Sequence, residues 1–402
     1  MIYFRKLIAA APRSLDHRTA ARLRTHMTSY GRRSETGQRV EYLPPGPMPS
    51  LPSGNGPLVS IVICNYNYGR FIRSAICSAL AQTYENTEII VVDDGSTDSS
   101  RATIDEFVST GDVKAIYQDN EGQYSAYNAG FAASSGDIVM FLDADDIYLP
   151  EAVRVVVAAM NGGTAKAHFR LSFIGPQGEV RDGHTPRGLS CGAVGDLLAT
   201  KGLLYSSAPG SGNAYAREAL TGLFPLPVTQ DKHGADFFTV YGSCLNGMVV
   251  AVDSVLGHYR LHRSRNEEKA SLVFGNAAKA GNERERLEAR ISTFKLHVKQ
   301  RLGVDLPERL LSFSTQKQEF VVEALRETRY VRRLAIGQAQ AAPLWYAIRN
   351  SPDFSIFFKS SLVIWAVLVI VLPRVLALPL ARYVSNPASR EGLNKATDAP
   401  RR

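Results

Sequence analysis

Two hydrophobic rhythms alternate along the first half of this chain. Short unbroken apolar runs, "LVSIVICNY" (58–66), "TEIIVVDDGSTD" (87–98), "VKAIYQD" (113–119) and "DIVMFLDADD" (137–146), read as strands. Between them, "FIRSAICSALAQT" (71–83), residues 99–109 and "SAYNAGFAASS" (125–135) carry helical spacing. Runs that are apolar throughout, rather than at every second position, describe strands buried on both faces. The pattern predicts an α/β domain with a mostly parallel, doubly wound sheet over about residues 57–150.

Three of the predicted strands end in polar clusters: "CNYNYG", "DDGSTD" and "DADD". Each alone reads equally well as a turn or helix cap, which favours Asp, Asn, Ser and Gly. Together they are expected to converge on one edge of the sheet, where open α/β sheets place their ligands. The run "IVMFLDADDIY" drives a buried strand into Asp143, Asp145 and Asp146. Unpaired carboxylates there are costly. Asp143 and Asp145, two apart in a turn, can face one hard cation, Mg2+ or Mn2+, of the kind that also takes up substrate phosphates.

The set "VSIVICNYN", "VVDDGSTD", "NEGQYSAYNAGFAASSGDIVMFLDADD", "SGNAYAREAL" and "YRLH" resembles the family 2 glycosyltransferases over roughly residues 57–265. The resemblance implies a GT-A fold and a hexosyltransferase that inverts the anomeric centre. It places Asn65, Tyr66, Asp93, Asp94, Asn120, Gln123, Asn128 and Asp143 around the nucleotide-sugar, with Gly122 in the "NxGQ" stretch and Asp94 toward the base, usually uracil. It assigns Asp143 and Asp145 to the metal, with His262 of "HYRLH" as a further metal or diphosphate contact. Asp146 is expected to cap the next helix or position its neighbours. Ser211 and Asn213 fall on the acceptor side, or else shape a turn. The implied general base is Asp236 in "HGADFFTVYG", with Asp231 as the alternative. Ala235 stands where the family often has an acidic residue. No QxxRW motif of processive synthases occurs, so transfer of a single sugar is expected.

The remaining segments define the organisation. Residues 1–56 are a basic N-terminal segment and a Pro/Gly linker, 57–270 the GT-A domain with nucleotide and acceptor halves meeting at 150/151, and 271–352 a helical extension. Residues 353–385 form a hydrophobic membrane-associating segment and 386–402 a disordered tail. The net charge of +8 owes much to Arg5, Lys6, Arg13, Arg18, Arg22, Arg24, Arg32, Arg33 and Arg39, opposed only by Asp16 and Glu35. Such a leader suits a solvated tail or anionic lipid. A nucleic-acid arm is a third reading, but no nucleic-acid partner is expected. The opening residues lack the long apolar stretch of a secretory signal. Four scattered cysteines fit reduced thiols of a cytosolic protein. In "FSIFFKSSLVIWAVLVIVLPRVLALPLARYV" the uninterrupted apolar core, Leu362–Leu372, is eleven residues, short of the roughly 20 needed to span a bilayer. A helix lying on the membrane, a true span and a buried packing helix all stay open.

The sequence therefore points to a metal-dependent transferase. Its partners are a nucleotide-sugar donor, a glycan or lipid-linked acceptor in cell-envelope polysaccharide assembly, and a membrane surface. It is expected to be peripheral or monotopic at the cytoplasmic face. Two alternatives stand beside it. A nucleotidyltransferase would want a Gly-rich basic loop after the first strand, which "CNYNYGRF" is not. A nucleotide- or glycan-binding protein with a degenerate site is kept open by Ala235.

Overall fold

The apolar runs form strands and the spaced runs between them form helices. The computed structural model describes residues 56–229, 231–263, 272–273, 283–326, 330–351 and 354–385. The basic leader, nearly all of the linker and the 386–402 tail lie outside the described residues. In chain order the elements are β1 (Val59–Asn65), α1 (Ile72–Leu80), β2 (Thr87–Asp94), α2 (Ser100–Val108), β3 (Lys114–Gln118), α3 (Gln123–Ala133), β4 (Ile138–Asp143) and β5 (Ile147–Tyr148). There follow α4 (Ala152–Ala159), β6 (Thr164–Ile174), β7 (Val180–Thr185), α5 (Val194–Lys201), β8 (Asn213–Ala216), α6 (Arg217–Thr221), α7 (Ala235–Ser243), β9 (Met248–Arg260), β10 (His262–Arg263) and β11 (Leu272–Val273). The helices α8 (Glu283–Leu302), α9 (Phe313–Arg326), α10 (Tyr330–Asn350), α11 (Ile356–Val371) and α12 (Arg374–Ser385) complete the chain.

Among the described residues, nine strands form one sheet in the order β3-β2-β1-β4-β8-β6-β9-β5, with β7 beside β6. The first four are parallel, and β8 then enters antiparallel to both β4 and β6. The sheet is mixed, and its parallel first half is the α/β arrangement that the apolar runs predict. Parallel register aligns the strand ends: Asn65 lies opposite Asp93, Cys64 opposite Asp143, and Asp94 opposite Gln118.

Both faces of the parallel half are buried, which explains the unbroken apolar runs. Ile61 and Ile63 of β1 point into a cluster with Ile72, Ile76 and Val91. Val62 points the other way, against α3. There Tyr127 stacks on Phe141 of β4 with ring centres 4.0 Å apart. The small residues of α3 let it approach β1 closely: a Cβ on Gly130 would lie 2.3 Å from Val62 Cγ1.

The chain divides into two compact units. The first holds the described residues up to Gly195 together with Ser207–Asp305, so α8 belongs to it. The second comprises Asp196–Ser206 and the residues from Leu306 onward. Its core joins Phe320 and Ala324 of α9, Leu344 and Ile348 of α10, Leu362, Trp365 and Val369 of α11, and Ala377 and Ala381 of α12. Among the described residues no helix is long and apolar enough to cross a membrane.

The close approach at Gly130 is testable. Alanine is the better helix former by about 1 kcal/mol, but Val62 is fully buried and its branched side chain is stiff. Overpacking of this kind costs about 1–3 kcal/mol, so Gly130→Ala should lower stability by about 1 kcal/mol in urea titration. An unchanged or raised midpoint would mean that α3 can slide on β1 without loss.

Candidate active site

The polar strand ends meet as parallel register requires. Asn65 is buried, and its side-chain amide donates to Asp93 Oδ1 (2.6 Å) and Ser96 Oγ (3.0 Å). Asn67, at φ 57°, accepts from the Thr97 amide and donates its own N–H to Ser96. Asp98 accepts from the Gly69 amide. The loops after β1 and β2 are thereby tied into one surface, beside which Tyr66 stands exposed. Asp94 is buried and organises the next loop, accepting from Gln118 Nε2 (2.7 Å), the Glu121 amide (3.0 Å) and the Gly122 amide (2.8 Å). Gly122 has φ 94°, and a Cβ there would strike Lys232.

Asn120 and Gln123 face the chain before α7. Lys232 Nζ donates to both the backbone and the side-chain oxygen of Asn120 (2.7 and 2.9 Å). Gln123 Oε1 accepts from the amides of Gly234 (2.8 Å) and Ala235 (3.0 Å), satisfying donors at the start of α7 that the helix itself cannot. Ala235, where the resemblance leads one to expect an acid, is fully buried with its N–H on Gln123. Asn128 is spent on the backbone of Leu226, donating to its carbonyl (2.9 Å) and accepting from its amide (2.6 Å).

The acidic knot at the end of β4 resolves into three environments. Asp146 is buried and accepts from Ser211 Oγ (2.6 Å) and the Arg260 amide (2.9 Å). It positions its neighbours, the second of the two roles expected for it. Asp145 Oδ2 lies 2.6 Å from His262 Nε2, and its carbonyl accepts from Arg260 Nε. Among the described residues none donates a hydrogen bond to the Asp143 carboxylate. Burial and the charges of Asp145 and Asp236 push Asp143 up to about 8. Burial and the charges of Asp145 and Asp143 also raise Asp146.

Asp236, in the first turn of α7, is raised by burial and partly held down by the Arg290 guanidinium. A Cβ on Gly210 would lie 3.5 Å from Asp143 Oδ2 and 3.5 Å from Asp236 Cβ, so the two acids face each other across one glycine. Asp231 is paired instead with Arg290 (2.6 Å), which also donates to the His233 carbonyl.

Ser211 and Asn213 are fully buried and support this glycine from below. Ser211 bridges the Asp146 carboxylate and the Asp143 amide. Asn213 donates to the carbonyls of Ala208, Pro209 and Gly210, and accepts from Lys166 Nζ (2.9 Å) and Ser207 Oγ (3.1 Å). Of their two expected roles, shaping a turn is the one that their hydrogen bonds serve.

His262 is brought to Asp145, its Nε2 lying 2.6 Å from Asp145 Oδ2. No group of three His, Cys, Asp or Glu residues arranged to hold a metal occurs among the described residues.

Sequence reasoning missed Lys166, Lys232, Arg260 and Arg290. Lys166 and His168 are fully buried side by side on one face of β6, and burial brings the lysine down to about 7. The alternation of polar residues in "TAKAHFRLS" was the available signal. Arg290 lies 54 positions beyond Asp236 on α8 and had none.

The profile described as Glycosyl transferase family 2 matches residues 60–188. An uncharacterized glycosyltransferase of Nostoc sp. is 34% identical over 285 residues, covering 69% of this chain and 88% of that protein. Another, from Rickettsia prowazekii, is 42% identical over 106 residues, covering 26% of this chain and 32% of that protein. Among solved structures, Staphylococcus aureus TarS 1-349 in complex with UDP-GlcNAc is similar at 14% identity and TM-score 0.49, covering 83% of this chain and 92% of that one. The mannosyltransferase PcManGT from Pyrobaculum calidifontis, in complex with GDP-Man and Mn2+, is similar at 15% identity and TM-score 0.41, covering 86% and 88%. With the profile on β1 through β7 and the Nostoc protein matched over most of its length, the chain belongs to glycosyltransferase family 2.

Proposed function

We propose that this glycosyltransferase moves a single sugar from a nucleotide-diphosphate sugar, a UDP-sugar, to a hydroxyl of a glycan or lipid-linked acceptor. The reaction inverts the anomeric centre, uses a divalent cation and serves cell-envelope polysaccharide assembly at a membrane surface. One observation carries the reading: Asp143 and Asp236 face each other across Gly210, with Asp145 two residues beyond Asp143.

The residues present fit Mg2+ or Mn2+. Such ions are held through one or two carboxylates, with waters and substrate phosphates completing the shell, so a three-ligand protein cage is not required. Asp143 offers a carboxylate without a donor among the described residues and under like-charge repulsion. Asp143 and Asp145 would hold the ion, which when bound neutralises charge on the departing diphosphate. His262 orients Asp145 from behind, as partners of metal ligands commonly do.

The nucleotide then lies over the ends of β1 and β2, where Asn65, Asp93 and Asp94 form the base and ribose side and Tyr66 offers an exposed ring. Asn120 and Gln123 connect this donor half to α7 and so fix Asp236 relative to Asp143. Asp236 takes the proton from the attacking hydroxyl. Burial raises its affinity for that proton, while Arg290 keeps the carboxylate available in its ionised form.

Calorimetry with UDP, GDP and dTDP, with and without Mn2+, should find one nucleotide, UDP, bound in a metal-dependent manner. Asp145→Ala should abolish the metal dependence. Folded protein that binds none of the three would overturn the donor assignment. Asp236→Asn should lower kcat by about 10²–10⁴ while leaving nucleotide affinity unchanged; an equal loss of affinity would place Asp236 in donor binding instead.

The raised Asp143 also predicts a pH effect on the chelator-treated protein. An unfolded aspartate titrates near about 3.9, whereas Asp143 in the fold titrates at about 8. Between these values the folded chain keeps a proton that the unfolded chain has lost. The stability contributed by this group is therefore complete below the lower value and is lost as pH rises through the upper one. In EDTA, wild-type melting temperature should fall relative to Asp143→Asn from pH 5 to about 8. Parallel curves would show that the Asp143 charge is already compensated.

A further inference from the structure

The second unit has one finished side and one unfinished side. On α11, Leu362, Trp365 and Val369 are buried against α9, α10 and α12, and Trp365 Nε1 donates to the Leu380 carbonyl of α12 (3.1 Å). On the opposite side, Phe357, Ile364, Val367, Leu368 and Val371 are exposed, and Val375 extends the row onto α12. Phe357 is 84% and Val375 82% accessible. The α11 residues recur at spacings of seven, three, one and three, which keeps them on a single stripe of the helix. A contiguous apolar row of this size is unusual on a protein surface and marks an interaction site.

The charges around the row select its occupant. Residues 354–385 contain Lys359, Arg374 and Arg382 and no acidic residue. Arg374 opens α12 and is exposed at the Val371–Val375 end of the row, whereas Lys359 donates its Nζ to the Arg349 carbonyl (2.8 Å). A second copy of the chain is a poor fit. In a two-fold contact the patch meets itself, and residues 354–385 offer no carboxylate for Arg374 to pair with. An anionic bilayer supplies both complements, acyl chains for the row and phosphates for Arg374. The basic leader adds cations of the same sign.

Geometry decides how the surface is met. The 16 residues of α11 extend only about 24 Å, short of the roughly 30 Å hydrocarbon core. One face of α11 is already committed to protein packing. We propose that the outer stripe of α11, continued by Val375, is a monotopic docking face that lies in the headgroup region of an anionic membrane. This deepens the reading above, on which the acceptor is met at a membrane surface, and names the residues that meet it.

The test is flotation of the full chain with vesicles of phosphatidylcholine alone, or of phosphatidylcholine with phosphatidylglycerol, without nucleotide. Wild type should float with the anionic vesicles, less with the neutral ones, and less at high salt. Ile364→Glu combined with Val371→Glu should lower partitioning by about tenfold or more, and Ile364→Ser with Val371→Ser by less. Circular dichroism and nucleotide binding should be unchanged in both. Wild type that floats with neither vesicle would overturn the proposal, as would Glu variants that float like wild type. A wild-type dimer in light scattering that the Glu substitutions dissolve would assign the face to a second copy instead. Because no donor is present, flotation with failed nucleotide binding would overturn the transferase reading alone, and the reverse result the docking face alone.

Discussion

Three carboxylates at the end of β4 and a fourth, Asp236, in the first turn of α7 set the condition that the rest of the first unit has to meet. Buried charge is tolerated only when paired or hydrogen-bonded. Asp146 receives a hydroxyl and a backbone amide, and Asp145 receives a histidine. Arg260 braces this turn from β9, its guanidinium lying 4.7 Å over the Phe71 ring while it donates to the Asp145 carbonyl. Asp143 alone is left without a donor among the described residues, next to Asp236. Asp146 is held as scaffold, and Asp143 is the acid whose compensation is missing among the described residues.

The same logic links the two halves of the domain. Gln123 leaves the donor half and caps the helix that carries Asp236, while Lys232 reaches back to Asn120. Arg290 closes the arrangement from α8, pairing with Asp231 and biasing Asp236 by its charge. Beneath Gly210, the loop is held by Asn213, itself held by Lys166 inside the sheet. Arg290 acts on Asp236 directly through its charge, and the other groups act through the backbone that they hold. Loss of one is expected to disturb distance and orientation before it disturbs folding.

The second unit solves a different problem. Helices α9, α10 and α12 bury one side of α11 and leave the other apolar and exposed. A soluble helix would carry polar residues there. The absence of acidic residues from the whole 354–385 stretch is consistent with an outer environment that supplies negative charge itself.

Much of this was legible in the chain. Unbroken apolar runs announce a sheet covered on both faces, and the Asp- and Asn-rich strand ends announce where its ligands go, because period and burial are local properties of the sequence. Asp143 and Asp145 were named from the end of a predicted strand, whereas Asp236 was named from the family resemblance alone. What each polar residue does was not readable. Asn128 and Asn213 sit in the expected stretches, yet their amides are consumed by backbone groups of Leu226 and of residues 208–210. Lys232 and Arg290 carry no local pattern at all. Hydrogen bonds and charge pairs are set by distances between residues far apart in sequence, so only the tertiary structure decided which acid was left unpaired and which faced it.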